Sequence, residues 1–173
     1  MLVHAPTVPF VEVEPQPAHA LPSRLGGVTI GILNNQKPNA QPLLEHVVLG
    51  LQRGFDAGKA QWALKPPNLP TLEEELSALS KGPAQMIIVA SADCGSCTSW
   101  CIHDAVVLEK RGKPVLVLAT EAFLKMARAE AAAYGVPDLR VIPIPHPLGD
   151  ADLATVERYA AQAVKTIAGL FSA

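Results

Sequence analysis

The chain is poor in aromatic residues, in charge and in cysteine. Phe, Trp and Tyr make up 5% of its 173 residues and charged side chains 17%. With 14 basic against 16 acidic residues it offers no basic stripe to nucleic acid or to an anionic membrane. No apolar run approaches the ~20 residues needed to cross a bilayer. The opening "MLVHAPTVPFVEVEPQPAHALPSRL" lacks a charged n-region and a continuous apolar stretch, which argues against a secretion signal. The expectation is a cytoplasmic protein whose thiols stay reduced. What the chain does have is apolar content, 49% and much of it alanine, and a length that suits one domain with a real core.

Residues 1–25 form a separate compositional zone. Pro6, Pro9, Pro15, Pro17 and Pro22 forbid a helix and disfavour a central strand. Val3, Val8, Phe10, Val11 and Val13 are nevertheless apolar, so the expectation is an extended arm packed across the domain or a neighbouring subunit. Residues 26–173 read as one α/β domain. Strands are expected at 27–33, 84–93, 114–120 and 139–147, with a weaker one in "AQWALKPP". Helices are expected at 41–58 with a Gly58 stop, at 71–82, from about 96 to 110, at 121–134 and at 151–171. In the second of these, Thr71 reads as N-cap, Glu74 as its capping-box partner and Gly82 as the end. Strands alternate with helices five times. That pattern predicts a doubly wound, five-stranded parallel sheet in the flavodoxin-like order 2-1-3-4-5.

In such a sheet, ligands bind outside the carboxyl ends of the strands where the strand order reverses, here between the first and third strands. The loop after the first carries Asn34, Asn35 and Lys37; the loop after the third carries Asp93, Cys94, Gly95, Ser96 and Cys97. All three cysteines lie in "SADCGSCTSWCIHDA". Cys94 precedes a helix and Cys97 sits in its first turn. Free N–H groups there stabilise a thiolate, and cysteine pKa values at helix N-termini fall from ~8.5 toward ~3.5–7.5. Gly95 reads as a tight turn that leaves Cys94 open. Asp93 works against the thiolate if it turns inward. Cys101 falls on the apolar face and reads as a buried small hydrophobe, although its i, i+4 relation to Cys97 keeps it within reach as a second resolving thiol or a ligand.

Other candidates surround this loop. His103 lies about 120° from Cys97 on the helical wheel, which makes a direct couple doubtful and a surface or subunit-contact role as good a reading. His146, framed by Pro145 and Pro147, ends the last strand two positions, ~10 Å, from the third, where it closes the pocket or moves a proton; the plain alternative is a histidine in a proline-fixed turn. Thr120 is closer but less informative. Lys37 suits an anionic substrate or a thiolate. Cys94, Cys97 and Cys101 with a histidine allow a metal alternative, but no second ligand pair exists, so thiol chemistry ranks above metal.

The stretch "DCGSCTSWCIHDAVVLEKRGKPVLVLATEAF" resembles the U-G-S-C family of selenoproteins, with cysteine at the selenocysteine position and Gly95, Ser96 and Cys97 completing the motif. The likeness extends to "GVTIGILNNQKPNA" and "PDLRVIPIPHPLG", most of residues 26–150, and leaves the arm outside. The motif is also similar to that of the selenoprotein subunit in component B of glycine, sarcosine and betaine reductases, whose chain is much longer. There the selenol attacks substrate and reductively cleaves a carbon–nitrogen bond. The resemblance implies a thiol reductase in which Cys94 attacks a small electrophile and Cys97 resolves the adduct, leaving a disulfide for an external thiol reductant. Backbone N–H groups at Ser96 and Cys97 would stabilise negative charge, and Lys37 and Asn34 would orient the substrate. Two rivals stand beside it: a redox-neutral hydrolase or lyase through the same cysteine, and a non-catalytic or metal-binding subunit. Beyond a small-molecule substrate, the expected partners are further copies of the chain or a partner subunit, met through the arm.

Overall fold

The computed structural model describes residues 13–171. Strands β1 (Ile30–Asn34), β2 (Ala60–Leu64), β3 (Met86–Ala92), β4 (Val115–Thr120) and β5 (Arg140–Ile144) alternate with helices α1 (Ala40–Phe55), α2 (Glu73–Lys81), α3 (Gly95–Lys110), α4 (Leu124–Ala133) and α5 (Leu153–Gly169). A single 3₁₀ turn, Glu121–Phe123, leads into α4. Every neighbouring pair is parallel, and the sheet order is β2-β1-β3-β4-β5. The doubly wound flavodoxin-like order expected from the alternation is the one observed.

The central strands read as unbroken apolar runs because both faces of a parallel sheet are covered. In β3, Met86, Ile88 and Ala90 face α1 and α5, while Ile87 and Val89 face α2, α3 and α4. That is the two-residue alternation of a strand. Ala92 breaks the parity and joins the Ile87 face. The cause is a register shift: Val89 pairs Val117 but Ala92 pairs Ala119, one extra residue on β3. Such a bulge re-aims the residues C-terminal to it. It turns the end of β3 so that Asp93 meets the loop after β5.

Several helix ends differ from expectation. The first helix stops at Asp56, which takes the left-handed conformation (φ 54°), and not at Gly58. Gly58 serves close approach instead, because a Cβ there would sit 2.7 Å from the Gly27 carbonyl oxygen. Thr71 does not cap α2; Leu72 holds that position without a side-chain bond. The Thr71 hydroxyl goes to Asp104 on α3, a tertiary partner that outcompetes the local one. Asp152 is a true N-cap of α5, accepting from Thr155 N at 2.8 Å.

The described part of the arm, from residue 13, lies against its own domain. Gln16 N donates to Gly135 O, Ala18 N to Asp138 Oδ1 and His19 N to Glu109 Oε2, at 2.7–2.8 Å. Leu25 is buried and Leu21 packs on the α1–α5 side. Residues 1–12, with Pro6, Pro9 and the first apolar group, lie outside the described residues.

Candidate active site

Cys94 is the N-cap of α3. It has extended backbone (φ −150°, ψ 169°), and its Sγ accepts the Cys97 N–H at 3.3 Å. A capping residue normally offers oxygen to that amide; here sulfur takes its place. Cys94 and Cys97 are joined as a disulfide, with Cα atoms 5.2 Å apart, so one helical turn accommodates the bridged pair. The pair opens onto a cavity of about 160 Å³ lined by Lys37, Pro38, Asp93, Cys94, Cys97 and Gly149. A wider depression of about 460 Å³ beside Trp62, lined also by Gln41, Glu45, Val48 and Leu49, has no thiol in its lining. The small cavity is the one that both cysteines line.

The sequence-derived residues sort into those at the cavity and those beneath it. Lys37 lines it, and among the described residues its ammonium has no ion-pair partner. Ser96 is exposed, its Oγ 3.7 Å from Cys94 Sγ. Gly95 is not required for a tight turn, since a Cβ there would meet nothing within 4 Å. Asn34 and Asn35 are each 2% exposed and brace the loop after β1 instead of facing substrate. Asn34 Oδ1 accepts from Gln36 N (2.8 Å), and Asn35 Nδ2 donates to Ser91 O (2.7 Å) while its Oδ1 accepts from Lys37 N (3.3 Å). They hold Lys37 in position. Thr120 is fully buried, its Oγ1 3.1 Å from His146 Nδ1.

His146 faces neither cysteine through a hydrogen bond. Its Nδ1 lies 3.1 Å from Asp93 Oδ1, and the ring is 40% exposed. The Asp93 carboxylate also accepts Gly149 N at 2.9 Å and Leu148 N at 3.2 Å. Its carboxylate is thus bonded to the loop after β5 and to an imidazole, while Asp93 also lines the cysteine cavity.

Cys101 is fully buried beneath the pair and takes a 3.5 Å contact from Asn35 Nδ2. Burial pushes its thiol up to about 12, which outweighs the nearby Lys65 charge that pulls the other way. It does not serve as a reactive third thiol. Among the described residues no three His, Cys, Asp or Glu side chains are arranged to hold a metal ion, so the Cys94, Cys97, Cys101 triad with a histidine is not assembled. His103 pairs with Asp104 at 3.1 Å and lies edge-on to Trp100 and Tyr134, away from the cysteines.

Two features had no sequence signal of their own. Asn68, in the loop after β2, accepts from Ser96 Oγ (3.3 Å) and lies 4.0 Å from Cys97 Sγ. Lys65, the residue after β2, is 1% exposed and bonds Asp104, which is fully buried and also takes the Thr71 hydroxyl. Its Nζ reaches Trp100 O as well, at 3.4 Å. Lys65 and Asp104 fasten α3, and with it the cysteine turn, to the sheet.

No curated protein matches the sequence. Among solved structures the chain is similar to a Burkholderia pseudomallei K96243 protein described as pilus assembly-related, at 19% identity, with 80% of this chain and 92% of that one covered and a TM-score of 0.41. It is also similar to the flavodoxin-like domain of a Synechococcus sp protein, at 10% identity, 82% and 98% coverage and a TM-score of 0.41. The model of the UGSC family matches residues 2–173, so the proline-rich arm, which the motif likeness left outside, falls within the match. A match across nearly the whole chain, with the Cys94-Gly95-Ser96-Cys97 turn at its centre, means that this protein belongs to the UGSC family.

Proposed function

We propose that the protein is a thiol-dependent reductase acting on a small electrophile in the cavity at the start of α3. The observation that carries this is the Cys94 sulfur capping the helix through the Cys97 amide, with the second sulfur within bonding reach. An amide pointed at sulfur favours thiolate over thiol. Cys94 thiolate attacks the reacting carbon of R–X and displaces X⁻, forming Cys94–S–R. The Cys97 sulfur then attacks the Cys94 sulfur. The S–R bond breaks, R leaves with the electron pair and takes a proton as R–H, and the disulfide forms. The substrate gains two electrons and the two thiols lose them. Because R must leave as a carbanion, the reacting carbon belongs beside a carbonyl group, and Lys37 suits an anionic substituent there. An external dithiol reductant restores the pair, in keeping with a cytoplasmic setting. Assembly with further copies or a partner subunit through the arm belongs to the same proposal, and sedimentation of the chain with and without the arm tests it.

The decisive experiment is alkylation of the reduced, native protein with iodoacetamide across pH, with the labelled site mapped by mass spectrometry. Cys94 is expected to react at neutral pH, below the ordinary thiol pKa of ~8.5. Labelling of Cys94 only after denaturation ends the proposal. Cys94→Ser should remove the reactivity. Cys97→Ser should leave Cys94 labelled and trap the substrate adduct, whereas full turnover in that variant would make the chemistry redox-neutral.

A further inference from the structure

Among the described residues, strand β2 has one neighbour in the sheet, β1, and its other side is an open edge. Lys59 O accepts Ile30 N at 2.9 Å and Lys65 N donates to Asn34 O at 3.0 Å, so the odd-numbered residues turn their backbone groups toward β1. Alternation then turns the N–H and C=O of Ala60, Trp62 and Leu64 to the open side. Proteins usually blunt such an edge with a charge, a proline or a cover. The opposite edge, β5, carries Arg140 and Pro143. The β2 sequence, Ala-Gln-Trp-Ala-Leu, carries neither, and Trp62 and Leu64 are 39% and 49% exposed on it.

We propose that β2 pairs antiparallel with β2 of a second copy of the chain, joining two five-stranded sheets across a two-fold axis at Trp62. The inference is independent of the thiol chemistry and of the arm.

Self-complementarity identifies the occupant. A two-fold at Trp62 sets Ala60 opposite the partner's Leu64 and Leu64 opposite the partner's Ala60, small against large at each end. In that register residues 60, 62 and 64 are the hydrogen-bonded set, so all their outward N–H and C=O groups find partners. The same axis lays α1 antiparallel to its copy on one face of the joined sheet. Trp62 and α1 already border one depression, the wider one lined by Gln41, Glu45, Val48 and Leu49. On α1, Glu45, Leu49 and Arg53 form an exposed row at i, i+4 spacing. Glu45 and Arg53 stand equally far to either side of Leu49. An antiparallel crossing at Leu49 therefore brings each Glu45 against the partner's Arg53. Among the described residues neither side chain has an ion-pair partner within its own chain. A row of one sign would repel its copy; this row has opposite signs at its two ends and attracts it.

Sedimentation equilibrium of the full-length chain, up to about 1 mM, tests this. The wild type is expected to form a dimer. Trp62→Lys should raise its dissociation constant about tenfold or more, because a charge replaces an aromatic anchor at the axis. Glu45→Arg and Arg53→Glu should each weaken it roughly tenfold, since one substitution creates two like-charge contacts across the axis. An equimolar mixture of those two variants should return to within about threefold of the wild-type value, because the mixed dimer restores opposite charges at both contacts. All three positions are exposed, so circular dichroism should show wild-type folding in each variant. The Ala60, Trp62 and Leu64 amides should exchange hydrogen more slowly as the chain is concentrated. A chain that stays monomeric across the range overturns the proposal. A dimer that these substitutions leave unweakened also overturns it and places the interface elsewhere. A mixture no tighter than its components rules out the two-fold pairing. Edge amides already protected in the dilute monomer overturn it as well, because the chain itself then covers the edge.

Discussion

Sulfur at Cys94 and sulfur at Cys101 sit in opposite environments within two turns of one helix. The first accepts a helix amide at the mouth of a cavity, and the second is sealed in the α3 side of the core. Raising the Cys101 pKa from 9.0 to about 12 means that the folded chain holds this proton more tightly than the unfolded one. Stability from that difference is complete below pH ~9 and declines as pH rises toward ~12. Cys101→Ala should therefore flatten the alkaline loss of stability, read from urea midpoints at several pH values. Iodoacetamide should leave Cys101 unlabelled in native protein at pH ~9, and ready labelling there would contradict its burial. Lys65 and Asp104 make the second residue-scale case. Removing one member of a buried pair strands the other charge at about 3–5 kcal/mol. Lys65→Met should show such a loss by chemical denaturation, and replacing Asp104 by Leu in the same chain should recover part of it.

At the scale of elements, the ends of the helices were the least legible part of the sequence. Thr71 with Glu74 three residues on has the form of a capping box, yet Thr71 turns to Asp104, thirty-three positions along the chain. Local pattern cannot register a competitor that arrives only on folding. Asp152 obeys the local rule and caps α5. Its bonds to Thr155 hold its carboxyl below the ordinary range, so its contribution is present above the unfolded carboxylate pKa and is lost as pH falls through the lower folded value. Asp152→Ala should lower Tm at neutral pH, and the gap from wild type should narrow in acid; an equal gap at every pH would show that the cap is not ionic. The bulge in β3 is the other element-scale event. Without its extra residue the strand would keep its parity, and Asp93 would turn toward α3 and away from the loop that holds His146.

Across the whole molecule, one buried carboxylate joins the arm to the domain. Glu109, 1% exposed, accepts His19 N and Val115 N at 2.7 Å each and lies 3.9 Å from Arg140 Nη1. Glu109→Ala would leave the buried Val115 amide without its acceptor, at about 1–3 kcal/mol for an unsatisfied group, and would release the His19 amide of the arm. Limited proteolysis should then cut the arm sooner than in wild type, with Tm lowered; an unchanged cleavage rate would mean that the arm is held by its other contacts.

The sequence by itself determined the alternation of strands and helices, the sheet order and the position of the cysteine turn at the switch point. Each of these comes from short-range patterns: apolar runs of strand length, helical spacing and the handedness of parallel crossovers. Tertiary structure alone decided which polar groups meet. Asn34 and Asn35 became braces, Asp93 turned to His146, and Asn68 and Lys65 arrived from the loop after β2. The physical reason is that a hydrogen bond between distant segments depends on where the packed core places their backbones, and a one-residue bulge is enough to change which face a side chain takes.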